Sequence, residues 1–132
     1  MADDFQVTLV TPQQQVFDER AKYASVPAWD GLLGVAVQRA PLLVKLGYGP
    51  LRVDLPGGGS RRFYVGGGFA QMLGDKLTLL SEEASPAEQI DRAEAQRALE
   101  DARKGGAGDE SSDDRQRRLQ RAAARLSVAD QG

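Results

Sequence analysis

The sequence predicts an α+β protein, an N-terminal antiparallel β-sandwich followed by a C-terminal α-helical hairpin. Three observations carry the prediction. Up to Leu80 the apolar residues alternate or run in short blocks, each turned by glycine or proline, as many short strands would be. Beyond Ser85 they recur at helical spacing, and no glycine interrupts them until Gly105. Between the two lies Ser85-Pro86-Ala87-Glu88, which reads as a helix start: Ser85 caps, Pro86 takes the first helical position, and Glu88 completes a capping box. The boundary is therefore drawn at Ala84, with a sandwich over 1–84 and a hairpin over 85–132.

Phe5, Val7 and Leu9 alternate with polar residues as a half-buried first strand, and Thr11-Pro12-Gln13 turns it. Val16-Phe17 and Ala21 to Val26 give two further strands. Pro27 to Gly31 reads as a loop, and Leu33 to Val37 as the next strand. Ala40 to Leu46 is followed by a turn at Gly47-Tyr48-Gly49-Pro50. Leu51 to Leu55 alternates strictly, Pro56 to Ser60 reverses the chain, and Arg61 to Val65 returns, which predicts a hairpin. Phe69 to Leu73, the turn Gly74-Asp75, and Lys76 to Leu80 close the sandwich. The first helix runs from Pro86 to Lys104 with Ile90, Ala93, Leu99 and Ala102 on one face and Ala98 beside it. Gly105-Gly106 stops it, and a flexible turn covers about 105–112. The second helix spans about Asp113 to Ala129, with Leu119, Ala122, Ala123 and Leu126 on one side and arginines over most of the rest.

Composition removes several classes of chemistry. The 132 residues contain no cysteine and no histidine, which excludes disulfides, thiolate nucleophiles, histidine bases and the usual zinc ligand sets. The 17 basic and 19 acidic residues give a net charge of −2, and each of the two parts nets −1, so bulk charge offers no warrant for nucleic-acid binding. No apolar run reaches the length that spans a bilayer, and the start Met1-Ala2-Asp3-Asp4 is unlike a signal or transit peptide. The glycine clusters at 57–59 and 66–68 neither lead into Gly-Lys-Ser/Thr nor open a helix, so turns and close backbone approaches are expected of them. Asp30 and Asp75 stand in loops with no second carboxylate assignable to either. Trp29, the lone tryptophan, either folds back over the sandwich edge or stands out as an anchor for a partner. Arg115, Arg117, Arg118, Arg121 and Arg125, with no acid from Arg115 to Ala129, make either a solvated face or a surface for an acidic partner. A ligand-binding sandwich and a polyanion-binding adaptor remain as alternative classes.

The order of certain residues carries a resemblance. Pro27-Ala28-Trp29-Asp30-Gly31-Leu32-Leu33-Gly34-Val35, then Arg39-Ala40-Pro41-Leu42-Leu43, resembles the epsilon subunit of F-type ATP synthase, whose pattern is a glycine-rich turn, Gly-x-x-Gly-Val/Ile, then His-Ala-Pro-Leu. Val65-Gly66-Gly67-Gly68-Phe69 is similar to that family's Ser-Gly-Gly-Phe strand, and Leu77 to Ala84 with Ile90-Asp91 to its last strand and entry into the helices. The similarity runs in order from Val10-Thr11-Pro12 to Leu126. Ala28 replaces the usual glycine and Arg39 the usual histidine.

The resemblance implies a noncatalytic rotor subunit that couples proton flow to ATP synthesis. Its sandwich would hold the gamma subunit on one side and the ring of membrane c subunits on the other. Ala28, Trp29, Asp30 and Gly31 fall on the ring-facing turn. The helical hairpin of the family either lies on the sandwich or extends into the alpha/beta catalytic head and inhibits ATP hydrolysis, and Arg115, Arg117, Arg118, Arg121 and Arg125 are the residues expected to engage that head. Some members bind ATP through Ile/Leu-Asp-x-x-Arg-Ala, which here reads Ile90-Asp91-Arg92-Ala93-Glu94-Ala95. Glu94 would repel a polyphosphate where the arginine would pair with it, leaving Arg92 or Arg97 to substitute, so no cofactor is expected; the lack of cysteine and histidine leaves no metal expected either. The implied location is the cytoplasmic face of a bacterial inner membrane, reached through partner subunits alone.

Overall fold

The computed structural model describes residues 4–37, 40–104 and 111–131. Arg39, Gly105-Gly106 and most of the expected flexible turn lie outside the described residues. Ten strands are described: β1 (Phe5–Val10), β2 (Gln15–Ala21), β3 (Tyr23–Ala28), β4 (Gly31–Ala36), β5 (Leu42–Lys45), β6 (Tyr48–Asp54), β7 (Ser60–Gly66), β8 (Phe69–Leu73), β9 (Lys76–Leu80) and β10 (Glu83–Pro86). A single 3-10 turn (Ala87–Gln89) leads to α1 (Arg92–Arg103) and α2 (Ser112–Gln131).

The strands form two five-stranded sheets, β2-β1-β9-β8-β5 and β10-β7-β6-β3-β4, called here the first and second sheet. Described pairings are antiparallel except that β1 lies parallel to β9. Alternation decides the faces: Phe5, Val7 and Leu9 of β1 and Leu51 and Val53 of β6 are wholly buried, as period-two patterning requires of strands with one wet side. Phe17 and Phe63 meet across the core with ring centroids 5.0 Å apart and planes tilted by 58°. The sandwich and two-helix class predicted from sequence is the class observed, and the β6/β7 hairpin pairs Leu51 with Phe63 as the alternation demands. At its turn Gly58 and Gly59 take φ of 100° and 80°.

Three local expectations are corrected. Tyr48, Gly49 and Pro50 are not a turn but the start of β6, paired with Gly66, Val65 and Tyr64. Pro50 is tolerated there because β3 joins β6 only from Arg52 onward, so no ladder partner on that side needs its missing N–H. Secondly, α1 does not begin at Pro86. Ser85 and Pro86 pair with Tyr64 and Phe63 as the end of β10, and Asp91 is the N-cap, accepting from the Glu94 N–H at 3.2 Å. A ladder along the edge of the second sheet outcompetes a local cap, and proline sits acceptably at that strand's end.

Thirdly, the helical stripes are displaced. In α1 the buried residues are Ala95, Leu99 and Ala102, with Ala93 exposed; in α2 they are Ala122, Ala124 and Val128, with Ala123 exposed and Leu119 and Leu126 half-buried. The helices run antiparallel. Arg92 at the start of α1 pairs with Asp130 at the end of α2 at 2.5 Å, and Arg115 near the start of α2 donates to the carbonyls of Ala102 and Arg103 at 3.4 and 3.1 Å. Ser111 caps α2 by accepting from the Asp114 N–H at 3.1 Å.

Candidate docking surfaces

The turn from β3 to β4 is the sharpest feature of the sandwich. Ala28 pairs with Gly31, leaving Trp29 and Asp30 at the apex, and Gly31 takes φ of 134°, a conformation that glycine reaches without strain. Trp29 is 67% exposed, so it does not fold back over the sandwich edge, and Asp30 is exposed beside it. Ala28 is buried beneath them. The apex is held from below. The Trp29 N–H donates to the Lys45 carbonyl at 2.9 Å, and the Gly47 N–H to the Pro27 carbonyl at 2.9 Å. A Cβ at Gly47 would lie 3.1 Å from the Ala28 oxygen, which explains the close approach of the strand connection.

The glycine triplet completes this knot. Gly68 accepts from the Leu46 N–H at 2.8 Å, and the Gly67 N–H donates to the Gly47 carbonyl at 3.0 Å. Gly67 and Gly68 take φ of 72° and 98°, and a Cβ at Gly68 would sit 2.0 Å from the Leu80 oxygen, the close backbone approach that the glycines permit. Buried Ser81 ties the last strand to the same loop, its Oγ standing 2.7 Å from the Glu83 carbonyl and 3.0 Å from that of Gly67.

The outer face of the first sheet carries a surface that sequence reasoning missed. Phe69 pairs with Leu80 and with Lys45, and Val10 lies beside Leu80, so one cross-strand row joins these residues on the solvent side. Phe69, Leu80, Leu73 and Leu43 are 53%, 58%, 61% and 69% exposed. A cluster of such side chains is uncommon on a free surface and marks a contact site. The sequence carries part of the signal, since Phe69 and Leu73 of β8 and Leu80 of β9 fall on the alternation opposite to the core-facing Ala70, Met72, Leu77 and Leu79, but apolar residues on both alternations read equally as a fully buried strand.

On the second sheet α2 covers the outer side of β6 and β7, while α1 packs on α2. The seat is small. Ala124 and Val128 meet Tyr64, Ala87, Ile90 and Ala95. A polar triad lies at its edge: the Tyr64 hydroxyl donates to Glu83 Oε1, and Arg121 Nε donates to that same oxygen at 2.6 Å. Burial, then the carboxylate beside it, pushes the Tyr64 phenol far above its ordinary value, and the Glu83 carboxylate raises Arg121. The remaining arginines are distributed along α2. Arg115 closes the end of α1, Arg117 pairs with Asp114 at 3.2 Å, Arg125 is half-buried, and Arg118 interacts within the fold.

No group of three or more acidic, cysteine or histidine side chains among the described residues is placed to hold a metal ion. Glu94 is exposed on the first turn of α1, and Arg92 beside it is engaged by Asp130. No described helix is long and apolar enough to cross a membrane. A rigid projecting turn, an apolar sheet face and a lightly seated basic helix together define a subunit that works by docking to other chains.

The family model for the ATP synthase delta/epsilon chain β-sandwich domain matches residues 4–87. The chain is 39% identical over 94 residues to the ATP synthase epsilon chain of Rhodopirellula baltica, covering 71% of this chain and 73% of that one. Its fold is similar to a chain of the Euglena gracilis mitochondrial ATP synthase structure comprising OSCP, F1 and the c-ring, with a TM-score of 0.82 at 22% identity, over 100% of this chain and 84% of that one. A chain of the Tetrahymena thermophila mitochondrial ATP synthase central stalk and c-ring structure gives 0.57 at 14% identity, over 96% and 93%. The protein belongs to the ATP synthase delta/epsilon chain family, and as an epsilon chain it is a noncatalytic subunit.

Proposed function

We propose that the protein is a central-stalk rotor subunit in which residues 1–84 form the assembly module and residues 85–132 the regulatory one. The observation that carries this reading is the set of exposed apolar side chains Leu43, Phe69 and Leu80 on the outer face of the first sheet. That face is the dock for the gamma subunit, and the turn Ala28, Trp29, Asp30 and Gly31 is the contact to the c subunits of the membrane ring. Its neighbours in fold come from complexes that contain a c-ring, which supports the choice of partner. A coupling that carries torque needs a stiff connection, and the turn's hydrogen bonds to Lys45 and Gly47 tie it to both sheets of a close-packed core.

The helical part restrains hydrolysis when it leaves the sandwich and Arg115, Arg117, Arg118, Arg121 and Arg125 reach an acidic surface of the alpha/beta head. The subunit is peripheral to the cytoplasmic face of a bacterial inner membrane through those partners alone. Co-purification tests the assembly reading: Phe69→Asp with Leu80→Asp should abolish recovery of gamma while thermal unfolding of the isolated chain stays within a few degrees of wild type. Undiminished recovery contradicts the assignment of that face. Replacing the five arginines by alanine should relieve inhibition of hydrolysis in the assembled complex with assembly intact, and unchanged hydrolysis counts against the regulatory part.

A further inference from the structure

At Glu83 the sandwich offers α2 a shared carboxylate acceptor. Glu83 Oε1 receives both the Tyr64 hydroxyl, from β7, and Arg121 Nε, from α2. The space for this arrangement is made by Gly66. It pairs with Glu83 across the β7/β10 ladder, and a Cβ on it would lie 2.5 Å from the Tyr64 hydroxyl oxygen and 2.9 Å from Glu83 Oε1. The atoms it would meet, Glu83 Cγ at 3.0 Å among them, all belong to these two side chains, so a methyl group there displaces the carboxylate and the phenol before it displaces the strand.

We propose that Tyr64, Glu83 and Arg121 form a latch that sets the population of seated α2, with Gly66 as the space that the latch requires. The inference rests on the regulatory reading above, because Arg121 is among the arginines assigned to the catalytic head. Its guanidinium cannot serve Glu83 and a distant surface at once. Breaking the latch therefore releases the helix and supplies an arginine to the head in the same step. The apolar seat beneath joins Ala87, Ala95 and Ala124 to Tyr64, Ile90 and Val128, with Val128 the larger fully buried residue that α2 brings to it, so the charge-assisted contact at its edge weighs in the balance.

The chain has no cysteine of its own, so Ser60→Cys on β7 and Ser127→Cys on α2, both exposed in the native protein, accept nitroxide labels for a pulsed distance measurement on the whole chain. The wild-type background should give one dominant short distance. Glu83→Gln, which keeps the shape and removes the charge, should raise a second, longer population by about tenfold, and Gly66→Ala should do the same with every latch residue present. Unchanged distance distributions in Glu83→Gln overturn the latch, whatever becomes of Gly66→Ala. In the assembled complex Glu83→Gln should deepen inhibition of hydrolysis, opposite in sign to the arginine replacements. A distance shift with unaltered hydrolysis leaves the latch standing and removes the assignment of Arg121 to the head.

Discussion

At Gly68 the backbone leaves no room for a side chain: φ is 98° and an added Cβ would meet the Leu80 oxygen at 2.0 Å. Both the left-handed conformation and the contact with a fixed carbonyl oppose substitution, so Gly68→Ala should lower global stability by about 2–4 kcal/mol in urea unfolding. A loss below about 1 kcal/mol would mean that the loop relaxes freely. Tyr64 gives a second prediction at this scale. Its folded phenol holds its proton far above the ordinary value near 10. The raised value means that its stabilising contribution is complete below about pH 10 and is lost as the pH climbs toward the folded value. In a phenolate absorbance titration, the component that Tyr64→Phe removes should ionise well above the ordinary range. Ionisation at the ordinary value would contradict its burial against Glu83.

Single residues were also where the sequence was least complete as a guide. The glycines at 58, 59, 67 and 68 could be assigned to turns and close approaches because glycine is the residue those conformations demand. Glu83 and Tyr64 could not be singled out, because their meeting depends on the β7/β10 register and on where α2 comes to rest. The five arginines were visible as a run, but that Arg121 reaches Glu83 is a matter of helix phase.

Elements were legible where the pattern was local. The β6/β7 hairpin and the first strand follow from alternation and turn residues. The segment from Ser85 to Glu88 carries every local mark of a helix start, yet the edge of the second sheet takes Ser85 and Pro86 as strand, and Asp91 supplies the cap instead. The alanine-rich stripes misled for a related reason: with so little large apolar surface, Ala93 and Ala95 differ only in which way the helix is rotated by its partner. Two predictions belong here. Val128→Ala should weaken the seat of α2 by about 2 kcal/mol, seen as roughly 30-fold faster amide exchange along α2 with the sandwich amides unchanged. Equal acceleration in both parts would show that helix and sandwich unfold as one. Trp29→Ala, by contrast, should leave stability within about 0.5 kcal/mol and weaken binding of the c-ring by 1 kcal/mol or more, read as roughly fivefold or greater loss of affinity.

Across the whole molecule the two faces of the sandwich have different uses. The first sheet leaves Leu43, Phe69 and Leu80 bare, whereas β6 and β7 of the second are covered by the protein's own helix. On the function proposed above, one face serves assembly and the other holds a removable part; the Trp29 turn projects where the connection from β5 to β6 joins the two sheets. α1 rests on α2 and reaches the sandwich through the 3-10 turn, so release of α2 frees the pair. The division of labour is tested most directly by co-purification of the gamma subunit with a tagged full-length chain and with one cut after Ile90, which keeps β10 and its turn intact. Recovery of gamma by both chains is the predicted result. Failure of the full-length chain to hold gamma, or recovery that depends on the helices, would contradict the account.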